Sequence, residues 1–301
     1  MGVLIDDKTR VAVQGITGRE GQARTKLMTE YGTNVVAGVT PGQYGATVHG
    51  VPVYDTMQEA VESEGDIDAS VMFVPAPFVR DAALEALDAG VEFLAVIPDH
   101  VGVHDALAIS ARARETDASF IGPNSLGVCT VGEAVLGMIG GQAETLDSWF
   151  EPGPIGVASR SGGMTTSTAY YLARRGLGMS TIVHIGGDSV IGMQHPDAVR
   201  AFEADEQTEV IVLFGEIGTT QEERVAELVA EGEVTKPVVA YIGGQAAESG
   251  TRYSHAGAIV ERGEGSHESK VTALRGAGAH VAESFEEVPE LTTSALREAR
   301  E

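Results

Sequence analysis

Lysine is nearly absent from this chain. Of its 301 residues only Lys8, Lys26, Lys236 and Lys270 are lysine, and 20 basic residues face 44 acidic ones for a net charge of −24. A surface of that sign repels polyanions, which argues against nucleic acid and anionic membrane as partners. Cysteine is limited to Cys129. That excludes an internal disulfide framework and suits a reducing cytosol; the residue itself reads as a small buried hydrophobe. No apolar run approaches a membrane span, and residues 1–7 lack the charged-then-apolar pattern of a leader. There is no Gly-x-x-x-x-Gly-Lys-Ser/Thr loop and no Gly-Lys pair anywhere, so a common triphosphate cradle is missing. The expectation is a soluble, cytoplasmic protein.

What is present suits two domains of ordinary size, at 43% hydrophobic residues. β-branched runs alternate with helical patterns from end to end, which predicts α/β architecture with parallel sheets. In the first half the predicted strands are 10–14, 34–39, 69–74, 91–97 and 119–121, with helices at 20–31, 56–64, 78–89 and 103–116. Residues 141–154 hold glycines, acids, Trp149 and two prolines without periodicity, and read as a linker. The second set has strands at 155–158, 180–185, 210–214, 238–242 and 279–281, and helices at 162–175, 196–204, 219–231, 266–276 and 285–300. Thr56-x-x-Glu59, Thr220-x-x-Glu223 and Ser284-x-x-Glu287 carry the capping-box pattern. The domains are thus expected at 1–140 and 155–301.

Gly15-Ile16-Thr17-Gly18-Arg19-Glu20-Gly21 follows the first strand and opens the first helix, where a phosphate-binding turn belongs. Use of NAD calls for a carboxylate at the end of the second strand, about 20 positions on. That strand runs instead into Gly38-Val39-Thr40-Pro41-Gly42. A nucleotide with a phosphorylated ribose fits better, and coenzyme A has a ribose 3′-phosphate. An NAD-dependent oxidoreductase is disfavoured for the same reason.

In the second half, Ser254-His255-Ala256-Gly257-Ala258-Ile259 sets a histidine among small residues. A histidine without bulky neighbours can accept a phosphoryl group, and a carboxylate on its other ring nitrogen would fix the tautomer. Glu216, in Gly215-Glu216-Ile217-Gly218 beyond another predicted strand, is the candidate. Ser161 is placed to N-cap a helix whose first turn contains Gly162 and Gly163, leaving N–H donors open to an anion. His184 lies inside a predicted strand and is expected to be buried and satisfied.

These motifs, in this order, resemble the α subunit of succinyl-CoA synthetase, in the NDP-forming acyl-CoA synthetase family. Thr17-Gly18-x-x-Gly21, the glycine segment at 38–42, Val74-Pro75-Ala76-Pro77 and Gly122-Pro123-Asn124 look like its CoA-binding domain. Ser159-Arg160-Ser161-Gly162-Gly163, Ile185-Gly186-Gly187-Asp188, the Glu216 segment and the His255 segment look like its ligase domain. The resemblance implies a Rossmann-like CoA-binding domain followed by a flavodoxin-like parallel-sheet ligase domain. It implies that His255 is phosphorylated in each turnover, and that Ser161, Gly162 and Gly163 receive the phosphoryl group. CoA contacts would come from Thr17, Gly18, Arg19, Glu20, Gly21, Gln43, Pro75, Pro98 and Asn124. No metal is expected on this chain; a separate ATP-grasp β subunit would hold ATP or GTP with Mg²⁺, making a hetero-oligomer.

The chain departs from the family in places. Gln43 stands where lysine is usual, Glu20 where glutamine is common, and Gly163-Met164-Thr165-Thr166-Ser167 where a Tyr-Glu pair normally follows. The leading expectation is a subunit of a succinate–CoA ligase of the tricarboxylic acid cycle, acting on a small carboxylic acid. An acid other than succinate, or a non-catalytic CoA-binding or regulatory paralogue, stays open.

The acidic residues are spread along the chain and not gathered in one tail, which reads as halophilic adaptation. Molar salt shortens the Debye length to about 3 Å and screens the self-repulsion. The melting temperature should therefore rise steeply from dilute buffer to molar KCl. A melting temperature that stays flat over that range would refute the salt reading.

Overall fold

The computed structural model describes residues 3–244 and 265–301. By their contacts these form two units, Val3–Ser148 with Val190–Met193, and Trp149–Ser189 with Gln194–Glu301.

The first unit opens with β1 (Val11–Gln14), α1 (Arg19–Tyr31), β2 (Val35–Val39), β3 (Thr47–Val48), β4 (Val51–Tyr54) and α2 (Met57–Glu64). It continues through β5 (Ala69–Met72), α3 (Val79–Asp88), β6 (Phe93–Val96), α4 (Val103–Glu115) and β7 (Ser119–Ile121). Strand order is β3-β4-β2-β1-β5-β6-β7. All the pairs are parallel except β3 with β4. The central strands β1, β5 and β6 are buried at every position, because helices cover both faces of a parallel sheet and alternation disappears. On one face Ala12, Ala37, Met72, Leu94 and Val96 pack with the apolar stripes of α2, α3 and α4. Order reverses between β1 and β5, so a crevice opens at their carboxyl ends.

Thr56 does N-cap α2: its hydroxyl accepts from the Glu59 N–H, and Glu59 reaches back to the Asp55 N–H. The residues after β7 form a hairpin, β8 (Gly127–Thr130) with β9 (Ala134–Gly137). Its strands are four residues long and buried at every position, which hides the period-2 signal. Thr33 fastens it, donating to the Val135 carbonyl at 2.7 Å. The stretch read as a linker contains a helix, α5 (Ala143–Trp149); two helical turns are too short to show periodicity in sequence.

The second unit contains β10 (Pro152–Ser159), α6 (Gly162–Ala173), β11 (Met179–His184), α7 (His195–Ala204), β12 (Val210–Glu216) and α8 (Gln221–Glu231). β13 (Val238–Gly243), α9 (His267–Gly276), β14 (His280–Val281) and α10 (Val288–Glu298) complete it. Its strands run β14-β13-β12-β10-β11, each pair parallel. Two expected capping boxes do not form. Thr220 makes no side-chain cap, its ψ of 25° lying outside the extended conformation of a capping residue, and Glu223 is drawn to Lys270 and Ser269. Ser284 likewise makes none; a 3-10 turn at Phe285–Glu287 precedes α10, and Glu287 accepts from the Glu283 N–H.

The four lysines divide evenly. Lys8 and Lys26 are exposed. Lys236 turns inward, its ammonium bonded to the carbonyls of Phe202 and Asp205, and Lys270 is fully buried.

Cys129 is fully buried against the Tyr31 hydroxyl. Burial pushes its thiol up to about 12, so almost no thiolate exists near neutrality. A thiol reagent at pH 8 should leave the native protein unlabelled and modify one cysteine on unfolding. Rapid labelling without denaturant would contradict this packing.

Candidate functional site

At the carboxyl ends of β1, β2 and β5 lies a cleft of about 630 Å³. Gly15, Thr17 and Gly18 line one side, Thr40 and Pro41 another, and Phe73, Val74, Pro75 and Phe78 the apolar floor. The turn is shaped by glycines. At Gly15 φ is +77°, and a Cβ on Gly21 would stand 2.2 Å from the Gly15 carbonyl oxygen, so neither position admits a side chain. Gly18, the N-cap of α1, offers no side-chain cap, and the first-turn N–H groups keep the anion-binding capacity of a helix start. Gln14 is held in place beneath the turn, its amide donating to the Ala82 carbonyl and accepting from Ser70. Asp81 and Glu85 line the far end, so an anion is favoured at the glycine end. Where an NAD site would present a carboxylate at the end of the second strand, this cleft presents Thr40. An apolar floor, uncapped N–H groups and no ribose-binding acid fit coenzyme A.

The expected CoA residues are not all gathered there. Thr17, Gly18 and Pro75 line the cleft. Arg19 and Glu20 instead line a second, polar depression between α1 and α5, and Glu20 pairs with Arg24 at 3.2 Å. Gln43 is exposed on the loop after β2; Asp55 orders that loop by accepting from the N–H groups of Gln43 and Tyr44, both at 2.9 Å. Pro98 and Asn124 meet each other, the Asn124 N–H donating to the Pro98 carbonyl at 2.8 Å.

In the second unit, β10 and β12 are neighbours in register from Ile155↔Val210 to Ser159↔Phe214. Their ends therefore bring Ser161, Gly162 and Gly163 onto the same edge as Glu216. Ser161 holds the N-cap position of α6 without a side-chain bond into the helix; Ser159 caps from below, its hydroxyl accepting from the Ser161 N–H. Glu216 is 9% exposed, and Arg160 approaches it, Nε to Oε1 3.9 Å. The Arg160 guanidinium is buried and tied to the Asp188 carbonyl at 2.7 Å. His184 is buried as expected, Nε2 lying 2.9 Å from the Arg160 carbonyl oxygen. His255 lies outside the described residues.

Sequence reasoning gave no part to a buried set behind Glu216. Glu222, Lys270 and His195 are each inaccessible to solvent. The Lys270 ammonium donates to Glu222, to Glu223 at 2.8 Å and to the Thr219 carbonyl at 2.7 Å. His195 Nδ1 stands 3.4 Å from Glu222 Oε1. Burial by itself raises the Glu222 carboxyl, but the His195 ring and the Lys270 charge outweigh it and hold it down at about 2. The signal available was Lys270 itself, a lysine on a predicted helix in a chain that almost avoids lysine.

Two units, one with a nucleotide crevice and one with a carboxylate beside an open helix start, define a CoA-linked ligase. Residues 6–100 match the CoA binding domain family and residues 158–280 the CoA-ligase family. The chain is 47% identical over 296 residues to the ADP-forming succinate–CoA ligase subunit alpha 2 of Archaeoglobus fulgidus, covering 98% of this chain and all of that one. It is 46% identical to the corresponding alpha subunit of Aquifex aeolicus, over 99% of this chain and 95% of that one. The structure superposes with TM-score 0.90 and 26% identity on ATP citrate lyase from Methanothrix soehngenii in complex with citrate and coenzyme A, covering 98% of this chain and 50% of that one. The chain belongs to the succinate–CoA ligase α-subunit family.

CoA, and not NAD, should bind the cleft at Gly15 to Gly21. Gly18 has an ordinary φ of −68°, but a Cβ there would stand 3.2 Å from the Gly15 carbonyl oxygen, so Gly18→Val crowds the turn and places branched carbon at the phosphate approach. Its CoA affinity should fall by about tenfold or more, the equivalent of one lost charged hydrogen bond. Calorimetry decides the matter, and tight NAD binding without CoA binding would overturn it.

Proposed function

We propose that this chain is the α subunit of a cytoplasmic, ADP-forming succinate–CoA ligase. It works with an ATP-grasp β subunit that holds ATP and Mg²⁺. The reading is supported above all by one arrangement: Glu216 and the open start of α6 share a sheet edge in the unit that carries His255.

In the forward direction, phosphorylation of the acid by ATP gives an acyl phosphate and ADP. The CoA thiol attacks the acyl carbon, and its proton and the phosphate leave as the thioester forms. His255 carries the phosphoryl group between the nucleotide site and the acid, by nucleophilic attack of one ring nitrogen on phosphorus. For that the ring must be neutral with the attacking nitrogen free, and Glu216 on the opposite nitrogen fixes the tautomer and steadies the positive charge that develops. Arg160, its Nε 3.9 Å from Glu216 Oε1, sets a buried positive charge beside that carboxylate. The Ser161 hydroxyl, which makes no bond into the helix, and the first-turn N–H groups of Gly162 and Gly163 receive the phosphoryl oxygens.

Incubation with the β subunit, Mg²⁺ and γ-labelled ATP should put acid-labile, base-stable phosphate on this chain. His255→Asn should abolish it and Glu216→Gln should slow it about 10²-fold or more, the scale of a lost acid–base partner. Label that survives His255→Asn, or label on His184 or His280, refutes the nucleophile. With labelling in hand, CoA-ligation assays across small acids name the substrate; an acid other than succinate as the preferred one would correct the proposal.

A further inference from the structure

Four residues separate the end of β12 at Glu216 from the start of α8 at Gln221. Such a turn, at a site asked to hold a carboxylate still, needs something to fix it. Glu222 folds back across it, and its Oε1 accepts from the Glu216 N–H at 3.2 Å. Lys270 enters from α9 and donates to the Thr219 carbonyl at 2.7 Å. One ion pair therefore grips the turn at both ends, Glu222 at its entry and Lys270 at its exit. Thr219 sits at φ +29°, a conformation a β-branched residue adopts only where its surroundings impose it.

The neighbouring residues make room for this grip. A Cβ on Gly215 would stand 2.7 Å from Glu222 Oε1, so the glycine before Glu216 is what admits the carboxylate. The ammonium of Lys270 finds three acceptors, in Glu222, Glu223 and Thr219, which uses all three of its protons. Such saturation is what makes a buried charge tolerable. Replacing a buried ion pair with apolar residues of similar size is often neutral for stability, so stability alone does not account for burying one here.

We propose that Glu222 and Lys270 are positioning residues for catalysis: the buried pair holds the Glu216–Thr219 turn so that the Glu216 carboxylate meets the histidine it orients. The proposal rests on the reading of Glu216 as the carboxylate partner of His255. It predicts that the pair acts through Glu216, which a purely structural role would not.

The experiment is a double-mutant cycle on the single-turnover rate of phosphorylation of this chain, with the β subunit, Mg²⁺ and labelled ATP. Glu222→Met with Lys270→Met removes both charges together and leaves neither stranded. In the presence of Glu216 this double change should slow phosphorylation about tenfold or more, whereas in the Glu216→Gln background it should slow it by less than about twofold. Glu222→Gln keeps one acceptor oxygen for two donors, its NH2 facing either the Glu216 N–H or the Lys270 ammonium, so its rate should fall between those of the wild type and the double variant. CoA binding and a cooperative melt certify folding. If the double variant does not fold, Gly215→Ala, which drives a methyl group against Glu222 Oε1, runs the same cycle. Equal slowing in both backgrounds, or no slowing where Glu216→Gln slows, overturns the positioning role while leaving Glu216 its own. If Glu216→Gln leaves the rate untouched, the reading of Glu216 falls and the positioning role falls with it.

Discussion

Strands buried on both faces leave polar chemistry almost nowhere to go. In each unit the innermost strands, β1, β5 and β12 among them, are buried at every position, and helices close both sides of a parallel sheet. Functional groups are pushed to the carboxyl edge, where the chain leaves a strand and starts a helix. That edge also offers unpaired N–H groups, so anion binding comes with the topology. The glycine turn before α1 and the Ser161 helix start are the same solution used twice, once for a nucleotide and once beside a carboxylate.

This constraint explains which parts of the molecule could be read from sequence. Glycines at 15, 18 and 21 announce themselves because their spacing follows from sterics: a side chain at Gly21 would enter the Gly15 carbonyl. Continuous β-branched runs such as β12 and the amphipathic period of helices such as α3 survive without coordinates. The hairpin β8–β9 does not, being two four-residue strands too short to carry a pattern of their own. The capping motifs divide in the same way. Thr56 caps from an extended backbone, whereas Thr220, at ψ 25°, does not, and its Glu223 has a buried lysine to answer. A four-residue pattern cannot reveal a partner some 47 positions further on.

The site shows the same limit more sharply. Glu216 was legible because it stands at a strand end between glycines, and its neighbour Arg160 lies within a motif already singled out. The group behind them was not, since Glu222 looks like an ordinary acid in the first turn of α8 and His195 like an ordinary residue ahead of Pro196. Only the fold brings α7, α8 and α9 together over one carboxylate. Distance in sequence, and the general rule that acids belong on surfaces, conceal a charge set that water never reaches. Side chains can also miss a predicted site although their backbone belongs to it: Arg19 and Glu20 start the helix at the cleft yet turn toward α5.

Engaging half of the lysines in hydrogen bonds to the fold has a practical corollary. Lys236 and Lys270 are engaged with interior carbonyls and carboxylates, which leaves Lys8 and Lys26 as the exposed side-chain amines. Both belong to the first unit. Amine-directed dyes, cross-linkers and surface-coupling reagents therefore address the nucleotide-binding half of the native chain through its lysines and pass over the ligase half, so a fluorophore attached this way is a reporter of one unit by construction.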